Sequence, residues 1–168
     1  MLMAALIPTG KSQAAKLPSL KVKGTKLVNS RGKAVQLKGV STHGLSWYPQ
    51  YVNQKAFSYM KKNWKINVVR LALYTSDYNG YCTGDTANRQ KLLKTVDHGI
   101  KSATSAGLYV IVDWHILSDG NPQTNQSRAI SFFARMAKKY KNNTNVIYEI
   151  CNEPNGGTTW ADIKAYAE

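Results

Sequence analysis

Apolar residues along this chain switch between two periods. From Leu20 to Val40 they alternate: Leu20 and Val22, then Leu27-Val28 after Gly24, then Val35 and Leu37 beyond the polar stretch Asn29-Ser30-Arg31-Gly32. This pattern predicts two short strands around the Asn29–Gly32 turn, the second running on into Gly39-Val40. Helical spacing follows. Phe57, Met60 and Trp64 recur at i, i+3, i+7 behind Asn53, a suitable N-cap. Leu92, Leu93, Val96, Ile100 and Ala103 mark a second helix that stops at Gly107. Ile130, Phe133, Ala134, Ala137 and Tyr140 mark a third, and Thr159-Trp160-Ala161-Asp162 opens a fourth with a capping-box pattern. Between the helices lie short apolar runs rich in branched residues: Asn67–Leu73, Leu108–Val112 and Asn145–Ile150.

The predicted order is a hairpin followed by alternating strands and helices. Strand runs that are apolar throughout require cover on both faces, so the fold class is α/β with a parallel sheet. Composition agrees, with 43% hydrophobic and 19% charged residues. No apolar stretch approaches the ~20 residues of a bilayer crossing. Cys82 and Cys151 form neither a disulfide framework nor a zinc spacing. Met1–Ala15 stands apart. Its short apolar run, Pro8, Gly10 and the triplet Ser12-Gln13-Ala14 read either as the end of a secretory signal or as a leader outside the fold. The division drawn is therefore a leader over 1–19 and a folded unit over 20–168. Lys plus Arg total 23 against nine acids, a net charge of +14. Such charge favours anionic partners in general. The basic residues are scattered, however, and the Lys61-Lys62 and Lys138-Lys139 pairs fall on helix surfaces. A solvated basic surface is the preferred reading, with no nucleic acid or membrane partner.

Polar residues collect at the C-terminal ends of the predicted strands. His43 and Trp47 follow the first, Tyr74 the second, Asp113-Trp114-His115 close the third, and Asn152-Glu153-Pro154 close the fourth. In a parallel barrel that end is the active-site face. A doubly wound sheet binds there only at a strand-order reversal, and the chain lacks a Gly-rich phosphate loop. Glu153 is the leading candidate for a general acid, since partial burial at a barrel mouth raises a carboxyl pKa. A helix cap or salt bridge is the competing role. Arg70 interrupts an apolar strand and must find an anion. Either it pairs with Asp113 or it keeps a catalytic carboxylate ionised. His115 has no second ligand at metal spacing, so neither metal nor cofactor is expected. Trp47, Tyr48 and Tyr74 suit either a core or the flat faces of sugars. Glu149 lies four residues from Glu153, roughly 13 Å along a strand, too far for a glycosidase carboxyl pair, and reads as structural.

Taken together, the segments LVNSRGKAVQLKGVSTHGLSWYPQYVN, NVVRLALYTSD, YVIVDWHILSDGNP and NVIYEICNEPNG resemble glycoside hydrolase family 5, in its bacterial endo-β-1,4-glucanase (cellulase) branch. The resemblance runs from about Leu20 to the last residue. It implies a (β/α)8 TIM barrel, of which this chain carries about the first four β/α units behind a short N-terminal β-hairpin. It also implies retaining hydrolysis of β-1,4-glucan or cello-oligosaccharides, and secretion. By this resemblance Glu153 is the acid/base and Asn152 binds the sugar 2-hydroxyl. Arg70 and His115 complete the catalytic group, and His43, Trp47, Tyr48 and Tyr74 line the glucan subsites. The family's nucleophile is a second glutamate at the end of the seventh strand, and none of the nine acids here sits in a matching motif. The expectation is an N-terminal half that is inactive without the C-terminal half of its barrel. A non-catalytic glucan-binding half barrel and a mannan or xylan hydrolase are the alternatives.

Overall fold

The computed structural model describes residues 16–168. Met1–Ala15, where the signal or leader reading falls, lies outside the described residues. Two strands, β1 (Leu20–Lys23) and β2 (Lys26–Asn29), form an antiparallel hairpin. A parallel sheet follows in the order β3 (Gly39–Ser41), β4 (Val68–Tyr74), β5 (Tyr109–His115), β6 (Val146–Glu149). The helices are α1 (Gln54–Trp64), α2 (Thr86–Ser105), α3 (Gln126–Tyr140) and α4 (Trp160–Ala167). Strand order follows chain order without reversal, as one side of a (β/α)8 barrel requires. Among the described residues no helix is long and apolar enough to cross a membrane.

The middle of the sheet carries the core. Leu71, Leu73, Val110, Val112 and Trp114 are buried with Leu92, Val96 and Ile100 of α2 and Phe132 and Met136 of α3. α2 packs on both β4 and β5. Its close approach depends on Gly99, where a Cβ would stand 2.7 Å from a methyl of Leu71. Helices α1, α2 and α4 start where the sequence supplies a capping side chain, whereas Asn125 at the start of α3 makes no such bond. The Asn53 side chain accepts from the Ala56 N–H, Asp85 accepts from Asn88, and Thr159 and Asp162 close a full capping box.

Three expectations are corrected. The hairpin turns at Gly24, whose φ of +58° suits glycine, rather than at Asn29–Gly32. The later turn exists, held by Asn29 Oδ1 accepting from Arg31 and Lys33. It returns only a single bridge, Val28 to Ala34, and Val35–Leu37 is not a strand. Trp64, placed on the inner stripe of α1, is exposed. On α3 the face against the sheet is Ala129, Phe132, Met136 and Tyr140, while Ile130 is exposed. Both α3 stripes have helical spacing, so periodicity alone could not choose between them. Leu17 and Pro18, grouped with the leader, accept hydrogen bonds through their carbonyls from Thr144 Oγ1 and Tyr109 Oη.

Candidate active site

The parallel register sets Ala72 beside Asp113 and Asp113 beside Glu149. One guanidinium ties these strands together. Arg70 Nε and Nη2 donate to the two carboxylate oxygens of Glu149 at 2.7 and 2.6 Å, a bidentate pair. Nη2 also donates to Asn152 Oδ1 at 2.7 Å and lies 3.1 Å from Asp113 Oδ2. Asp113 is therefore a real partner of Arg70, but the strongest one is Glu149, and Arg70 makes no ion pair with the candidate acid/base Glu153 among the described residues. The attraction of Glu149 holds the Arg70 pKa above its ordinary value.

The hydrogen bonds fix the orientation of the neighbouring groups. Arg70 only donates, so Asn152 must turn its oxygen toward it. The Asn152 amide nitrogen then donates to the Ile116 carbonyl at 3.1 Å and faces His115 Nε2 at 3.2 Å. Nε2 is thereby the accepting nitrogen, and the Nδ1 proton goes to Asp113 Oδ2 at 2.6 Å. Asp113 is fully buried, and its other oxygen, Oδ1, has no hydrogen-bond partner among the described residues. Burial pushes its pKa up, against the opposing pull of His115 and Arg70.

Beyond this network stands an aromatic wall. The Tyr74 ring lies 4.0 Å from His115 and stacks nearly parallel to His43 at 6.3 Å. Trp47 meets Tyr74 edge-on at 4.9 Å, and Tyr48 meets His43 at 5.3 Å. Gly44 makes room for this packing, since a Cβ there would fall 2.2 Å from the Trp47 ring. Tyr48 is half exposed, and His43 is exposed. Tyr78, 5.4 Å from Trp47, extends the wall from the loop after β4. The sequence did not single it out, although its place just past a strand end was the available signal.

All eight candidate residues thus gather at one end of the sheet, with two differences in detail. β6 ends at Glu149, so Asn152 and Glu153 sit in the loop beyond it, where the Asn152 N–H donates to the Trp114 carbonyl at 3.2 Å. Glu153 is exposed rather than partly buried, and its carboxylate pairs with no cation among the described residues. Glu149, read as structural, is the principal partner of Arg70.

A barrel-type sheet with this cluster at its C-terminal end has known counterparts. The family model for cellulase (glycosyl hydrolase family 5) matches residues 28–168. The chain belongs to glycosyl hydrolase family 5. Among family members, endoglucanase A of Butyrivibrio fibrisolvens is 51% identical over 88% of this chain and 34% of its own length. An endoglucanase of Clostridium saccharobutylicum is 50% identical over 88% of this chain and 32% of its own. The crystal structure of the catalytic domain of a Thermobifida fusca endoglucanase superposes with a TM-score of 0.82 at 42% identity, over 89% of this chain and 47% of that one. A variant of that catalytic domain has been solved in complex with cellotetraose, with a TM-score of 0.81. The chain therefore spans about a third of the curated relatives' length and about half of the solved family 5 chains.

Proposed function

We propose that these residues form the acid/base half of a retaining endo-β-1,4-glucanase. Glu153 protonates the glycosidic oxygen as the bond to the sugar breaks, and a carboxylate from the other half of the barrel forms the glycosyl-enzyme. Glu153 then takes a proton from water as it hydrolyses that intermediate. One observation carries the reading: Glu153 stands free beyond the sheet while Arg70, Asp113, His115, Glu149 and Asn152 below it are interlocked. Asn152 keeps one Oδ1 lone pair for a sugar hydroxyl. His43, Trp47, Tyr48 and Tyr74 offer ring faces to glucose units, in keeping with the cellotetraose bound by a relative. A polymeric substrate places the reaction outside the cell.

Retention needs a second carboxylate about 5–5.5 Å from the first. Glu149 and Asp113 are both engaged by Arg70 and unsuited to attack. These 168 residues alone should therefore release no sugar. The test is a fusion of this chain to the second half of the Butyrivibrio fibrisolvens endoglucanase A barrel, checked for folding by circular dichroism. The fused barrel should release reducing ends from carboxymethyl cellulose, Glu153→Gln should lower the rate by orders of magnitude, and the unfused chain should release none. Undiminished activity in the Glu153→Gln fusion rejects the assignment.

A further inference from the structure

The rings at the strand ends form a connected series that leads away from the locked network. From His115 the successive centroids are Tyr74 at 4.0 Å, Trp47 at a further 4.9 Å and Tyr78 at a further 5.4 Å. Exposure grows along the series. His115 is buried, Tyr74 and Trp47 are half-buried, and Tyr78 is 62% exposed. The buried end meets the Asn152 amide through His115 Nε2. The exposed end is tilted by 45° against Trp47 rather than stacked on it, so the Tyr78 ring keeps surface open to solvent.

A single exposed aromatic residue is ordinary, and Tyr59 on α1 is one, 59% exposed and without a ring neighbour among the described residues. Tyr78 differs in how its backbone is held. Its loop is closed at the base by the Tyr81 N–H donating to the Tyr74 carbonyl and the Cys82 N–H donating to the Thr75 carbonyl, both at 2.8 Å. At the tip the Gly80 N–H donates to the Asp77 carbonyl at 2.7 Å, with Asn79 at a φ of +48°. Three side chains from outside the tip fasten it. Ser46 Oγ donates to the Asn79 carbonyl at 2.9 Å, Asn88 Nδ2 donates to the same oxygen at 2.8 Å, and Thr83 Oγ1 donates to the Asp77 carbonyl at 3.2 Å. Gly80 permits the close turn, since a Cβ there would stand 2.3 Å from the Thr75 carbonyl oxygen. A solvent-facing ring on so constrained a turn loses little freedom when a ligand covers it.

We infer that Tyr78 is a further substrate-binding platform, which takes one more glucose unit of a β-1,4-glucan beyond the unit at Trp47 and so makes affinity depend on chain length. The inference rests on the glucan reading above and extends it to a residue outside His43, Trp47, Tyr48 and Tyr74. A hexose suits the place because it lays a C–H face on a ring while its hydroxyls stay in water, and Tyr78 is both apolar and wet. The charge of this end selects a neutral polymer. Asp77 precedes Tyr78, and Asp113, Glu149 and Glu153 stand at the same strand ends, so a nucleic acid or a carboxylated polysaccharide meets like charge here.

The experiment titrates the 168-residue chain with cellobiose and with cellohexaose and follows the NMR shift of the Trp47 indole N–H, a reporter inside the site. Cellohexaose should bind more tightly than cellobiose. Tyr78→Ala should weaken cellohexaose by about five- to tenfold, by analogy with base–aromatic stacking, and cellobiose by less than about twofold. Tyr78→Phe, which keeps the ring, should bind as the unmutated chain does, and so should the exposed-tyrosine control Tyr59→Ala. Circular dichroism checks that each variant keeps its fold. Equal losses on the two sugars, unchanged cellohexaose affinity in Tyr78→Ala, a Tyr78→Phe chain as weak as Tyr78→Ala, or no shift of Trp47 with either sugar would overturn the proposal. Binding here needs no turnover. A missing length dependence therefore leaves the Glu153 assignment standing, and a fused barrel that fails to cleave cellulose leaves the length dependence standing.

Discussion

The middle of the parallel sheet and its two edges use the same residue types to opposite effect. At the centre, β4 and β5 are covered by α2 and α3, and the charges at their ends are locked into one network. At the β3 edge an open groove of about 690 Å³ is lined by Val40, Tyr51, Phe57, Met60 and Trp64. At the β6 edge a smaller one of about 300 Å³ is lined by Ile130, Phe133, Tyr148 and Ile150. Both edges are apolar where an isolated sheet should be polar. In an eight-stranded barrel those surfaces would be covered by the remaining strands and helices. The centre is thus self-sufficient, while the edges are shaped for cover that these residues do not supply.

The largest effect should come from breaking the central network. Arg70→Met leaves Glu149 and Asp113 as neighbouring carboxylates without their cation and should cost about 3–5 kcal/mol, read as a lower urea midpoint. Adding Glu149→Gln to that variant should restore part of the loss. If Arg70→Met is neutral, the network is not what holds the strand ends together.

Packing gives the next contrast. Phe132→Ala, at the centre, should cost about 3–5 kcal/mol, whereas Trp64→Ala, at the open edge, should stay within about 0.5 kcal/mol. Comparable losses at the two sites would mean that the edge is already covered in solution, and sedimentation would identify an oligomer as the cover.

These contrasts mark what the sequence made legible. The α2 stripe was readable because all five of its apolar residues face one way, and all five are buried. α3 was misread because it is apolar on two adjoining faces, one for the sheet and one for the edge groove. Arg70 was conspicuous as a cation in an apolar strand, but its bond to Glu149 spans 79 residues and two strands. Register at that range follows from how the sheet assembles and leaves no local trace. Asn152, Glu153 and the aromatic wall were placed correctly at the sheet's end because each follows a strand run. The hairpin turn was misplaced because both Gly24 and Gly32 adopt positive φ and only pairing distinguishes them.

Acidity should probe the centre more gently. Asp113 Oδ2 keeps its contacts to Arg70 and His115 while the unpartnered Oδ1 takes up a proton. Its pKa is raised by burial, so the folded state binds this proton more tightly than the unfolded chain. This contribution to stability is complete below the ordinary Asp value of 3.8 and declines as pH rises through the folded pKa. Asp113→Asn should remove that part of the pH slope in urea titrations. An unchanged slope would show that Asp113 is already ionised throughout.

The smallest effect belongs to the edge helix. Thr159→Ala removes the capping-box hydroxyl and should cost about 1 kcal/mol, seen as faster amide exchange in the first turn of α4 with the centre unchanged.

The central claim is that Glu153, free above a locked network, is the acid/base of a retaining site. The most direct measurement uses the fused barrel carrying Glu153→Ala, an aryl cellobioside with a good leaving group, and added azide. The glycosyl-enzyme should still form, azide should accelerate turnover, and NMR should identify the product as the β-glycosyl azide. An α-glycosyl azide would make Glu153 the nucleophile, and hydrolysis at the unmutated rate without azide would remove it from the chemistry altogether.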